Sequence, residues 1–263
     1  MTARPDLSIL PGGASAAGTT PLRFRGLGRD ADLDLDFGGP DRPRLVTAVL
    51  TACAEPACGD EAIWGLTLAA RIGGLLAVWA EASGATDLEL RLRCPGPGCG
   101  ADRDAGVPVA ALVDLAREAE AVPVFEAGEG LRLRRPTGAD QRLWRGAAER
   151  DPEGAILATL TLAGHLPDTP AARADLAERM AEFDPLPAFA VAIRCPDCGR
   201  ESTLPVDLEA ECLARLARVQ DRLFAEVDTL ARRYGWTDAE ILAMPARRRA
   251  RYLGIAEAEG GWA

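Results

Sequence analysis

The chain has 263 residues, 48% of them hydrophobic, and a formal net charge of −10. That length supports one or two domains with a sizeable core. No run of about 18 apolar residues occurs, so no membrane-spanning helix is expected, and the acidic balance weighs against a general nucleic-acid binder, which needs a basic surface.

The first ten residues hold one Arg and no apolar stretch, so no secretory signal is expected and the expected location is cytoplasmic. Residues 1–43 are rich in Gly, Pro and Asp and read as a flexible N-terminal arm. Within it, LRFRGLG and ADLDLDF alternate weakly and are candidates for short strands formed on docking. Residues 44–54, RLVTAVLTACA, read as a short apolar helix. Asp60 then reads as the N-cap of one long helix that Ser83-Gly84 ends. Its Leu68, Ile72, Leu75, Leu76 and Trp79 recur at helical spacing and predict one buried face, while Ile63 and Leu66 require a second packing contact.

Leu88, Leu90 and Leu92 alternate with Glu89, Arg91 and Arg93, as in a half-buried strand. VPVAALVDLAREAEA follows as a strand end and a helix. PVFEAGEGLRLRR at 123–135 predicts a hairpin turning near Gly128-Glu129-Gly130. Three helix starts come next: Thr137 with Asp140, Asp151-Pro152, and Thr169-Pro170. The longest helix signal runs from Val206 to Gly235. Leu208, Cys212, Leu216, Val219, Leu223, Val227 and Leu230 form its apolar seam, which Leu213 and Phe224 widen. Thr237 and Glu240 suggest another capping box, and Pro245 opens the last helix.

Four of the seven cysteines belong to a phrase that occurs twice. LRLRCPGPGCG followed by VPVAAL parallels VAIRCPDCG followed by LPVDLE. Each copy reads strand, cysteine turn, strand, helix. A Cys-Pro-x-x-Cys-Gly turn aims two thiolates and several backbone N–H groups at one spot, and its Gly supplies left-handed backbone. One such turn is half a tetrahedral sphere, so two complete it. Cys94, Cys99, Cys195 and Cys198 are therefore the expected ligands of one structural zinc ion. Cys195 and Cys198 have the usual spacing; Cys94 and Cys99 have four residues between them. The 95 residues between the two pairs must loop out as an insertion, which is tolerable because closure entropy grows only logarithmically. Cys53 and Cys58 read as incidental thiols, and Cys212 as core.

Catalysis has little to work with. His165 is the single histidine, and no phosphate loop, nucleophile elbow or metalloprotease motif is present. Four cysteines close a zinc shell, whereas catalytic zinc keeps an open position. A non-enzyme without a small-molecule substrate is expected.

The C-terminal phrase YGWTDAEILAMPARRRARYL, Tyr234–Leu253, can be read in two ways. Its aromatic and aliphatic residues can pack a small helical cap under a solvated arginine face, or Trp, Tyr and Arg can dock a partner. The order cysteine turn, long helix, YGW-[ST]-x-x-E-I-L, P-x-x-R-R-x-x-Y-L resembles the baseplate hub assembly chaperone family of contractile-tailed phages and phage tail-like contractile injection systems. RPTGAD at Arg135–Asp140 is similar too. The likeness covers roughly Val46 to Leu253 and is strongest in the final 65 residues. It implies a non-enzymatic protein that assists baseplate or hub assembly, with baseplate or hub proteins as partners. Tyr234, Trp236, Arg247, Arg248 and Arg251 are the expected partner-binding residues; the arm and Arg249 belong to the same proposed surface.

The expected fold is α+β and predominantly α-helical, with two cysteine-turn β-hairpins forming a split zinc-ribbon-like centre. The expected divisions are an arm at 1–43, helices with the first hairpin at 44–121, a mostly helical insertion at 122–187, and the second hairpin, long helix and helical cap at 188–263. Two readings compete. A zinc-ribbon nucleic-acid-binding or regulatory protein is opposed by the charge and by the scarcity of aromatics. A thiol oxidoreductase at Cys195 and Cys198 is opposed by the dithiol's place inside a duplicated hairpin.

Overall fold

The computed structural model describes residues 22–145 and 151–260. It begins with a short strand, β1 (Arg23–Phe24), and a 3-10 turn at Asp30–Asp34. Helix α1 (Arg42–Cys53) starts where Asp41 accepts the Arg44 amide and Pro43 occupies the first turn. Strand β2 (Ala54–Glu55) pairs antiparallel with β1.

Two helices follow in place of the single one expected. They are α2 (Asp60–Trp64) and α3 (Leu68–Ser83), broken at Gly65–Thr67. Asp60 lies inside α2 and accepts the Thr51 hydroxyl, so it does not cap. Thr67 caps α3 by accepting the Ala70 amide, and Gly84, at φ 71°, closes it. Instead of one apolar face, α3 is buried all round from Ala69 to Ala80. Its neighbours are α1, α4 (Val109–Ala121) and α8 (Leu208–Tyr234).

Strands β3 (Asp87–Arg93) and β4 (Asp102–Pro108) form an antiparallel hairpin, and Leu88, Leu90 and Leu92 point from β3 into the core. A second hairpin, β8 (Ala190–Arg194) with β9 (Glu201–Pro205), is half exposed and rests Val191, Ile193 and Leu204 on the same core. The centre of the molecule is thus helical, with α3 inside. The hairpins flank it; they do not form the centre expected from the sequence. The reason is bulk: α3 buries its whole circumference, whereas each hairpin has only one apolar face.

Between the hairpins, the insertion has a small core of its own. Strands β5 (Val124–Gly128), β6 (Leu131–Arg134) and β7 (Thr161–Ala163) make an antiparallel sheet. With α6 (Pro152–Leu160) and α7 (Pro170–Phe183) it encloses Leu131, Leu133, Leu157, Leu160, Leu176 and Met180. Helix α5 (Gly138–Trp144) connects it back to the main body. The turn at Gly128–Gly130 and the caps at Thr137, Asp151 and Thr169 form as the sequence indicates. The sheet makes this region less helical than expected.

Part of the expected arm is packed. Residues 1–21 lie outside the described residues, but Leu22, Phe24 and Leu27 are buried. At Gly26 an added Cβ would fall 2.5 Å from the Ala82 backbone amide, so only glycine admits this approach to α3. Gln220 of α8 donates to the carbonyls of Asp32, Leu33 and Leu35, fixing the 3-10 turn. ADLDLDF is therefore a turn tied to a helix and forms no strand.

The chain ends with α9 (Asp238–Ala243) and α10 (Ala246–Gly260), the latter packed along α8. Pro245 stands just outside α10 and its carbonyl accepts the Arg249 amide. Among the described residues, no helix is long and apolar enough to cross a membrane.

Candidate metal centre

Both cysteine pairs sit at hairpin tips built alike. The Cys94 amide donates to Ala101 at 2.9 Å, and the Cys195 amide donates to Arg200 at 2.9 Å. Each bond closes its hairpin just beyond the last strand pair, Arg93 with Asp102 and Arg194 with Glu201. Left-handed glycines turn both tips, Gly98 and Gly100 in the first and Gly199 in the second. Gly98 absorbs part of the longer spacing in the first tip, so Cys99 still faces its partners.

The four sulfurs lie within 4.8 Å of one another. Cys94 Sγ is 3.7 Å from Cys198 Sγ, and Cys99 Sγ is 3.7 Å from Cys195 Sγ. Both short contacts cross from one hairpin to the other. Metal–sulfur bonds of about 2.3 Å at tetrahedral angles place sulfurs about 3.8 Å apart, so the set fits a single tetrahedral metal ion. Cys94 and Cys195 are buried, Cys99 is half-buried and Cys198 is exposed.

The electrostatics point the same way. The Cys198 amide, then Arg103 and the Asp197 amide, hold the Cys195 thiol down to about 6 against its burial. At Cys94 the Gly96 amide pulls downward, but burial and the three neighbouring sulfurs push it up to about 12. Four adjacent sulfurs without a cation carry few negative charges; a divalent ion lets all four ionise.

The other thiols stay apart from this cluster. Burial pushes Cys53 and Cys212 up to about 12, which makes both inert core residues. Cys58 is half-buried beside Asp60 and belongs to no metal-binding group among the described residues. His165 is exposed just past β7.

At the C-terminus, Tyr234 stacks on Trp236 at 4.5 Å, and Tyr252, not singled out from the sequence, sets its edge against both at 5.6 and 5.0 Å. Arg247, Arg248 and Arg251 are exposed on α10 and make no ion pair among the described residues. Arg249 differs. It is buried, pairs with Glu226 at 3.2 Å and donates to the Met244 carbonyl at 2.8 Å. The arginine run is therefore not one solvated face: Arg249 fastens α10 to α8, and the other three face outward. Phe224, expected in the seam of α8, is 47% exposed.

Comparison with family models, characterised proteins and solved structures finds no match.

Proposed function

We propose that this chain is a zinc-stapled, non-enzymatic, cytoplasmic assembly protein for the baseplate or hub of a contractile phage tail or tail-like injection system. The observation that carries the zinc reading is the four-sulfur tetrahedron shared between two hairpin tips. Its donors are all thiolates, which suit zinc, and they leave no position for water or substrate. That closed shell supports a structural ion. Zinc here joins the segment before the insertion to the segment after it.

The assembly role is supported by the resemblance of Tyr234–Leu253 to the baseplate hub assembly chaperone family. The exposed Arg247, Arg248 and Arg251, on the same helix as Tyr252 of the aromatic trio, support a cationic docking face of the kind that interfaces favour. The proposed partners are baseplate or hub proteins.

Deleting the gene in its native strain and imaging sheathed particles tests the role. Baseplate or sheath assembly should fail while the other tail proteins are still made; intact particles at normal yield would refute it. Complementation with Arg248→Glu plus Arg251→Glu should lower particle yield and leave zinc content unchanged. Wild-type yield from that variant would move the docking face elsewhere.

A further inference from the structure

Arg103 connects the two halves of the metal centre. It stands on β4, opposite Leu92, on the hairpin that carries Cys94 and Cys99. Its guanidinium leaves that hairpin. Nη2 donates to Cys195 Sγ at 3.5 Å and lies 2.5 Å from the Asp197 carboxylate, both on the second tip. Nη1 turns back to the Asp102 carbonyl at 2.9 Å. The contact has no mirror image: the second hairpin places Ser202 opposite Ile193, the position equivalent to Arg103.

A divalent ion bound by four thiolates is a dianion. A guanidinium hydrogen-bonded to one of those sulfurs offsets part of that charge and fixes the sulfur's direction. Asp197 in turn fixes the guanidinium. We infer that Arg103 is the positioning residue of the metal centre, holding the Cys195 thiolate in its ligating position across the hairpin gap and partly neutralising the loaded site. This rests on the zinc reading above. Hydrogen-bond partners of metal ligands matter at the level of 10- to 100-fold in metal affinity, and about that loss is expected here.

The test uses the full-length protein and zinc itself. Wild type, Arg103→Lys, Arg103→Gln and Arg103→Ala are loaded with zinc and competed with a chromogenic chelator. Arg103→Ala should bind zinc about 10- to 100-fold more weakly. Gln retains a donor and Lys retains the charge, so both should fall between Ala and wild type. Cobalt substitution supplies a readout that a merely structural role does not move: the thiolate-to-metal charge-transfer band should shift to lower energy in Arg103→Ala. Asp197→Asn, a change at an exposed tip, should weaken zinc binding in the same direction but less. Wild-type affinity and an unshifted band in Arg103→Ala would overturn the role of Arg103 and leave the zinc site standing. Wild-type protein that takes up neither zinc nor cobalt would overturn both.

Discussion

Arg71 sits on α3, which is buried all round, and its charged side chain is fully buried with it. It donates to the carbonyls of Pro43 at 2.7 Å and Ile63 at 3.0 Å, and to the Thr47 hydroxyl. It thus ties α3 to the start of α1 and the end of α2. Burial lowers its pKa to about 10, against the pull of Glu209, and leaves it charged at neutral pH. Gly138 covers it: an added Cβ would meet Nη1 at 2.6 Å. Gly138→Ala should therefore destabilise by about 1–3 kcal/mol. The same change in an Arg71→Ala background should cost much less, and urea melts of the four proteins decide it. Asp32 is a second buried charge, with Arg25 bound through both oxygens at 2.7 and 2.8 Å. Burial raises its pKa, but the bonds from Arg25 and from the Arg29 and Gly28 amides outweigh burial and hold it low. A lowered folded-state pKa means that the stabilisation is complete above the unfolded carboxylate's pKa and is lost as pH falls through the folded one. Asp32→Asn should cost about 3 kcal/mol at neutral pH, and the gap to wild type should close on acidification. A gap independent of pH would contradict this. Neither residue was legible beforehand. Arg71 reads as the polar edge of a helix because its partners Thr47 and Pro43 lie 24 and 28 residues away, whereas Asp32 has near partners, Arg25, Gly28 and Arg29, but nothing in an acidic loop marks which aspartate they surround.

At the scale of elements, legibility follows period and length. The seam of α8 was readable because seven residues repeat from Leu208 to Leu230 of a 27-residue helix, and all of them are buried. Leu216→Ala should cost about 2–5 kcal/mol. Phe224→Ser, one residue beyond Leu223 in sequence but exposed, should stay within about 0.5 kcal/mol. Equal losses at the two positions, measured by thermal melting, would mean that Phe224 is packed. The break between α2 and α3 was unreadable for a different reason. The Leu68 amide donates to Pro136 and the Gly138 amide donates to Leu66, so the insertion's return segment bonds into the break. Local propensity favours one helix there, and the long-range bonds override it. Strand β7 spans three mostly exposed residues, too short for alternation to register. The hairpins were clear because two copies of the same phrase reinforced each other.

At the scale of the whole molecule, two long-range groupings of side chains bear on the insertion and its flanks. One is the Arg135–Asp184 ion pair at 2.7 Å, both side chains 4% exposed, with the guanidinium 3.8 Å above the Phe183 ring. It joins the beginning of the insertion to its end. The other is the four-cysteine site. The cysteine phrase named all four residues that the structure brings together, although nothing in the spacing announced Arg103. If zinc closes the site, ion binding contributes folding free energy, because no such site exists in the unfolded chain. Replacing Cys195 and Cys198 by Ser should then lower the melting temperature and solubility. The most direct measurement is the zinc content of full-length protein purified without chelator, beside that double variant. The account predicts about one zinc per chain in the wild type and almost none in the variant. Less than about half an equivalent in the wild type, or equal zinc in both proteins, would contradict it.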